Sequence, residues 1–324
     1  MDRDSEPTSA EDESFEPDHV EPYVVAEGHR SGFVAVIGRP NVGKSTLMNR
    51  LVGEKVAIVS SKPQTTRSRI LGILTREDVQ VIFVDTPGIH RPLHRLGEIM
   101  VRTATNVIPD ADVVLFIIDV SVLPTEEDQM IAEIVDRQTD APVILVLNKM
   151  DLLSPEKVDA HSRAYWDLAP FHQDWMMTVG TEGVNLGRLL QRIVPALPKG
   201  PRYYPSEYIT DQTERQIVAE LVREQILSRT YHEVPHSVAV VVEEFKEREG
   251  GVTYIAANVF VERESQKGIV IGQGGRMIRQ IGSEARQAIE RMIGGKIFLD
   301  LWVKVRKGWR GDERELRSLG FEGT

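Results

Sequence analysis

The residues best equipped to hold a phosphorylated ligand lie in the run Gly38-Arg39-Pro40-Asn41-Val42-Gly43-Lys44-Ser45-Thr46. It reads G-x-x-x-x-G-K-S. Two glycines permit a tight turn that aims successive backbone N–H groups at phosphate oxygens. Lys44 then reaches the terminal phosphates, and the Ser45 hydroxyl is placed to ligate Mg2+. A helix opening at Lys44 adds its positive N-terminal end. Gly38, Asn41, Val42, Gly43, Lys44, Ser45 and Thr46 are the expected phosphate-side contacts.

Three downstream pieces complete a nucleotide site. Asp85-Thr86-Pro87-Gly88 places a carboxylate for a Mg2+ water shell and a Gly88 N–H for a γ-phosphate. In Asn148-Lys149-Met150-Asp151, the Asp151 carboxylate suits the N1–H and 2-amino donors of guanine. Adenine lacks that donor pair and would leave a partly buried carboxylate unpaired, at a cost of roughly several kcal/mol. Lys149 is expected along the base plane, with Asn148 bracing the phosphate loop. Gln64-Thr65-Thr66-Arg67 reads as a switch loop in which Thr66, rather than Thr65, completes the metal shell. Ser45, Thr66 and Asp85 are thus the expected metal residues, and Lys44, Thr66 and Gly88 the expected catalytic ones.

These groups need strand ends to carry them. Apolar strand-length runs at 33–37, 69–75, 80–84, 113–118 and 143–147 alternate with helical patterns at 44–52 and 126–138. The runs at 69–75 and 80–84 suit a hairpin. The alternation predicts an α/β domain with a mostly parallel sheet, helices on both faces and ligands at the carboxyl ends of the strands.

At 324 residues the chain is expected to form about two domains. It has no cysteine, which excludes disulfides, thiolate zinc sites and cysteine nucleophiles. Neither a secretory signal nor a bilayer-length apolar run is read, so a cytoplasmic location is expected. The net charge of −10 argues against a nucleic-acid partner until its distribution is examined. Residues 1–30 hold ten Asp/Glu against two Arg, whereas residues 265–310 hold ten Lys/Arg against three Asp/Glu. An acidic tail masks a basic C-terminal surface.

The nucleotide motifs resemble the signature of the GTP-binding GTPases over residues 33–190, which implies a P-loop GTPase domain using GTP/GDP and Mg2+. Two departures stand out. Where the family places a guanine-contacting Ser-Ala, this chain has Thr178-Val179-Gly180-Thr181, which leaves the Gly180 N–H for the guanine oxygen. Ile89 stands where Ras-like relatives carry a water-orienting glutamine, so unassisted hydrolysis is expected to be slow. Asn41 occupies the position at which a subset of GTPases ligates K+, which adds that ion as a candidate cofactor.

Four prolines interrupt the segment 195–205 and mark a linker. Beyond it, Gly272-Gln273-Gly274-Gly275, with Val270 and Ile271 before it and Arg276 after it, resembles the G-x-x-G loop of an RNA-binding KH domain. The order helix, two strands, helix, loop, helix, strand fits an α+β type II KH domain. Arg276, Arg279, Arg286 and Lys296 are the expected phosphate contacts alongside that loop. The boundaries read are an acidic disordered tail at 1–30, a GTPase domain at 31–195, a linker at 196–207, a KH domain at 208–310 and a tail at 311–324. Trp302, alternating along a strand, is expected in the core, while Trp309 suits packing or stacking.

With Val261-Glu262-Arg263-Glu264-Ser265-Gln266-Lys267, Leu301-Trp302-Val303-Lys304-Val305 and the segment from Asp312 to Gly320, the chain resembles the Era family of bacterial GTPases over about residues 30–322. That resemblance implies binding to the 3′ end of 16S rRNA and action in assembly and maturation of the small ribosomal subunit. It also implies peripheral contact with the inner membrane; a monomer is expected. The competing readings are a constitutive RNA binder with a relic nucleotide domain and a membrane-associated signalling GTPase.

Overall fold

The central apolar runs become strands because both of their faces find helices to cover them. The structure is a computed structural model and describes Val25 and residues 27–248 and 250–321. The first domain comprises β1 (Arg30–Ile37), α1 (Lys44–Val52), β2 (Ile70–Thr75), β3 (Val79–Asp85), α2 (Arg95–Asn106), β4 (Val113–Asp119), α3 (Glu126–Gln138), β5 (Val143–Asn148), α4 (Val158–Leu168), β6 (Asp174–Thr178) and α5 (Leu186–Ala196). The sheet order is β2-β3-β1-β4-β5-β6. All neighbours are parallel except β2 and β3, the expected hairpin.

Strand alternation divides the core in two. Val34 and Val36 of β1 join α1 and α5 on one face, while Ala35 and Ile37 join α3 and α4 on the other. Every β-to-α loop therefore leaves the same edge of the sheet, where β1, β3, β4 and β5 end beside one another.

The second domain runs α6 (Glu214–Arg229), α7 (Val234–Ser237), β7 (Ala239–Arg248), β8 (Val252–Val261), α8 (Glu264–Ile271), α9 (Arg276–Ile293), β9 (Lys296–Val305) and α10 (Glu313–Ser318). β7 is antiparallel to β8, and β9 is parallel to it. One face of this sheet packs on α6, α8 and α9 through Val222, Ile226, Val270, Ile281 and Ile289. On the other face Ala239 and Phe260 pack against α2 and α10, and Trp302 lies outside that cluster. That explains a correction: Trp302 is 60 % exposed rather than buried, because its neighbours Leu301 and Val303 take the inward positions of β9.

Three boundaries also move. The acidic-tail reading of 1–30 lies mostly outside the described residues, but His29 is buried against the Gly200 carbonyl and Arg30 already begins β1. The linker runs on past residue 207 to about Asp211 and is no loose tether, since it lies along the edge strand β2. Ile73 donates to the Ile209 carbonyl at 2.9 Å and Leu71 to Asp211 Oδ1 at 3.1 Å, which satisfies donors an edge strand would otherwise expose. Nor is 311–321 a tail. Leu316 and Leu319 of this segment pack with Trp309 against Leu96, Ile99 and Met100 of α2, forming a core shared by both domains. Trp309 is fully buried, donates to the Ser237 carbonyl at 3.1 Å and stacks on Phe321. Among the described residues no helix is long and apolar enough to cross a membrane.

The shared core yields the first expectation. Trp309→Ala should cost about 3–5 kcal/mol, as removal of a fully buried aromatic does. Urea unfolding followed by circular dichroism should show a lower midpoint and separation into two transitions. An unchanged midpoint would mean that the shared cluster adds nothing to stability.

Candidate functional site

The phosphate loop is shaped by its glycines and braced from outside. Gly43 has φ 102°, and a Cβ there would sit 2.3 Å from Asn148 Nδ2, so no side chain fits. Gly88 brings the turn after β3 equally close: a Cβ on it would lie 2.5 Å from the Pro40 nitrogen. Asn148 is buried, donates to the Val42 carbonyl at 2.7 Å and accepts from Thr178 Oγ1 and the Gly180 N–H, each at 3.0 Å. It is the expected brace. Asn41, at φ 63°, donates to the Ser61 carbonyl of the switch loop. Thr46 follows in the first turn of α1 and lines the same cavity as Lys44 and Ser45.

Lys44 is buried, with Nζ donating to the carbonyls of Gly38 at 3.1 Å and Arg39 at 3.0 Å. Burial lowers its pKa to about 8, against the opposing pull of Asp85. Close by, Ser45 Oγ lies 2.6 Å from Asp85 Oδ2 and 2.9 Å from Thr66 Oγ1. Asp85 is fully buried, and its Oδ1 has no hydrogen-bond partner among the described residues. Burial raises its pKa, with Lys44, Ser45 and Thr66 pulling the other way. Three hard oxygens converging around an orphaned carboxylate oxygen suit Mg2+. Thr66 sits at this cluster, whereas Thr65 turns its hydroxyl to the Lys62 carbonyl, as the switch reading requires.

Ile89 cannot orient water: its side chain is fully buried in the core, and only its N–H faces the loop, donating to the Gly38 carbonyl. The polar groups nearest that role are Gln64 and His90, which meet at 3.0 Å, with His90 Nδ1 on the Gly88 carbonyl at 2.8 Å. Sequence reasoning missed His90, because one histidine in a polar loop has no pattern to set it apart.

At the base end, Lys149 Nζ is held by Asp119 at 2.7 Å, which fixes its stem beside the base position. Burial disfavours the Asp119 carboxylate, but hydrogen bonds from Lys149 and Ser121 outweigh it and keep the pKa below the ordinary value. Asp151 is exposed in the short 3-10 turn Met150–Leu152, open to a base. One assignment changes. The Gly180 N–H is already committed to Asn148, so it does not serve the guanine oxygen. The following Thr181 N–H has no acceptor among the described residues and takes over that candidacy.

In the second domain Gly272, Gly274 and Gly275 all have φ between 59° and 73°, the left-handed region that side chains resist. A Cβ on Gly272 would lie 2.6 Å from Met277 Cβ, whereas Gly274 faces open space. Gln273 and Arg276 are exposed, and Arg279 folds back to donate to the Gly275 and Gly274 carbonyls. Two expected contacts fail. Val270 is fully buried in the core, pointing inward from the last turn of α8, and only the partly buried Ile271 remains beside the loop. Lys296 lies past the far end of α9, an 18-residue helix and hence about 27 Å long, away from Gly275.

Residues 33–149 match the family described as 50S ribosome-binding GTPase, and residues 233–310 match the KH domain. GTPase Era of Heliobacterium modesticaldum is 48 % identical over 293 residues, 90 % of this chain and 97 % of that protein. GTPase Era of Alkaliphilus oremlandii is 47 % identical over 294 residues, 90 % of this chain and 99 % of that protein. The chain belongs to the Era family of GTPases. Among solved structures, Era in complex with MgGDPNP and nucleotides 1506–1542 of 16S ribosomal RNA is 37 % identical, with a TM-score of 0.87 over 90 % of this chain and 99 % of that one. An Aquifex aeolicus Era variant bound to GDP and AlF4− gives a TM-score of 0.86 at 37 % identity, with the same coverage. As an Era-family GTPase, the chain converts GTP to GDP and phosphate.

Two expectations follow from the site. A phosphate beside Lys44 raises its depressed pKa, so above pH about 8 nucleotide binding takes up a proton. Affinity for a GTP analogue should be flat below that pH and fall above it, by up to about tenfold per pH unit. Calorimetry in buffers of different ionisation heat checks this, and a constant affinity up to pH about 9.5 would refute it. Asp151→Asn should weaken GTP by at least about tenfold and favour xanthosine nucleotides, as read by competition binding. Unchanged guanine preference would remove Asp151 from base reading.

Proposed function

We propose that this GTPase binds the 3′ end of 16S rRNA through its KH domain, with Mg2+ and GTP controlling the grip, and acts in small-subunit assembly. Support for the partner comes from a relative that matches nearly end to end and is described with both MgGDPNP and nucleotides 1506–1542 of 16S rRNA. Support for the control comes from one pair of adjacent residues. Thr66 faces the metal cluster, and the next residue, Arg67, is buried in the KH domain, donating to the carbonyls of Val238, Pro235 and His236 at 2.6–3.1 Å.

Two further contacts reach the same loop. Arg223 of α6 donates to the Thr65 carbonyl, and Glu224 accepts from the Val59 N–H and Lys55. A loop released on hydrolysis therefore takes its KH contacts with it, and RNA affinity changes with nucleotide by the same factor that nucleotide affinity changes with RNA.

The test is fluorescence anisotropy of an oligonucleotide matching that rRNA segment, with GDP, a non-hydrolysable GTP analogue or an ATP analogue. Binding should be tighter with the GTP analogue alone, by a factor of about 5–150, and should weaken with salt. Arg67→Gln should narrow that factor. Gly275→Asp should lower RNA affinity at least about tenfold while sparing nucleotide affinity, because it places a like charge against the phosphate path. Identical curves with all three nucleotides would favour the constitutive RNA binder.

A further inference from the structure

Between the two domains lies a second cavity, of about 200 Å³, bounded by Arg67, Arg69, Asp211, Gln216, Arg223 and Phe321. Two of its walls are guanidinium groups almost wholly inside the protein: Arg67 is 4 % exposed and Arg223 2 %. Arg67 meets no carboxylate. Its hydrogen bonds all end on backbone carbonyls, and its Nε is buried without a partner among the described residues. Arg223 engages Glu220 and the Thr65 carbonyl, yet its Nη1 is likewise buried and unpartnered.

The charges around the cavity do not cancel. Glu220 is taken up by the Nε and Nη2 of Arg223, and Asp211 Oδ1 accepts the Leu71 N–H. Nearby Arg310 spends its charge on Glu262. Buried cationic N–H groups left without acceptors are costly, and a group with several acceptor oxygens in a small volume satisfies them best. The planar fork of arginine matches such oxyanions.

We propose that this interdomain cavity binds a small phosphate-type oxyanion, either free orthophosphate or the phosphate of a small monoester, held by Arg67 and Arg223 with the exposed Arg69 at its mouth. The site is separate from the GTP phosphates. An anion there bridges the switch loop to α6, since Arg67 follows Thr66 and Arg223 holds the Thr65 carbonyl. The binding claim stands whether or not the RNA reading does.

The experiment uses the full chain saturated with Mg2+ and a non-hydrolysable GTP analogue, so that added phosphate cannot enter the nucleotide site. Inorganic phosphate is titrated by calorimetry against chloride at matched ionic strength. The expected result is saturable one-to-one binding with a Kd of about 0.1–1 mM, weakened at least about tenfold by Arg223→Gln and by Arg69→Glu. The second change lies at the exposed mouth and spares the buried contacts, so loss of binding there cannot be ascribed to unfolding. Competition by glycerol 3-phosphate would assign the site to monoesters, and its exclusion would assign free phosphate; either supports the site. No saturable binding, or unchanged affinity in both variants, overturns it.

Discussion

The structure depends on a single peptide bond between two side chains with incompatible loyalties. Thr66 belongs to the metal cluster with Ser45 and Asp85, and Arg67 belongs to the KH domain. A residue in an extended chain advances about 3.3 Å, so neither side chain can shift far without dragging the other. Everything else positions those two partners. The glycines let the phosphate loop and Gly88 approach, Asn148 fixes the loop from behind, and α2 shares a core with Trp309 on the far side. Both the loop at Thr66 and the stretch from Gly88 into α2 thereby meet the second domain.

Much of this was legible in the sequence, for identifiable reasons. The gathering of the phosphate loop, Asp85, Asn148 and Thr66 at one edge of the sheet could be read because that chemistry demands particular residue types there. The KH topology could be read because period-2 and period-3.6 patterns alternate cleanly there. What was not legible depended on which donor a group chooses. Nothing local says that the Gly180 N–H is committed to Asn148, or that Asp119 holds Lys149.

Long-range partners were equally hidden. Arg67 in a polar loop gives no sign that its guanidinium is buried against Pro235, His236 and Val238, more than 160 residues away. Trp302 was misjudged because alternation along β9 states which residues share a face, but not which face the helices cover. Lys296 was misjudged because the eighteen residues of α9 carry it to the far end of that helix from the loop. The segment from 311 reads as a tail, yet Leu316 and Leu319 within it suffice to pin it to Trp309.

The linker lying on β2 has a consequence for motion. Its bonds from Ile73 to Ile209 and from Leu71 to Asp211 hold the chain to the GTPase sheet until two residues before the Thr213 cap of α6. The KH domain is thus mounted on a very short pivot rather than strung on a flexible cord. If the Arg67 contacts part, the detached surfaces stay within a few residues' reach of each other. Their effective concentration remains far above that of any partner arriving from solution, because it falls only as tether length grows. Redocking is then a local rotation, and an external surface gains access only by binding during the brief interval in which the pivot stands open.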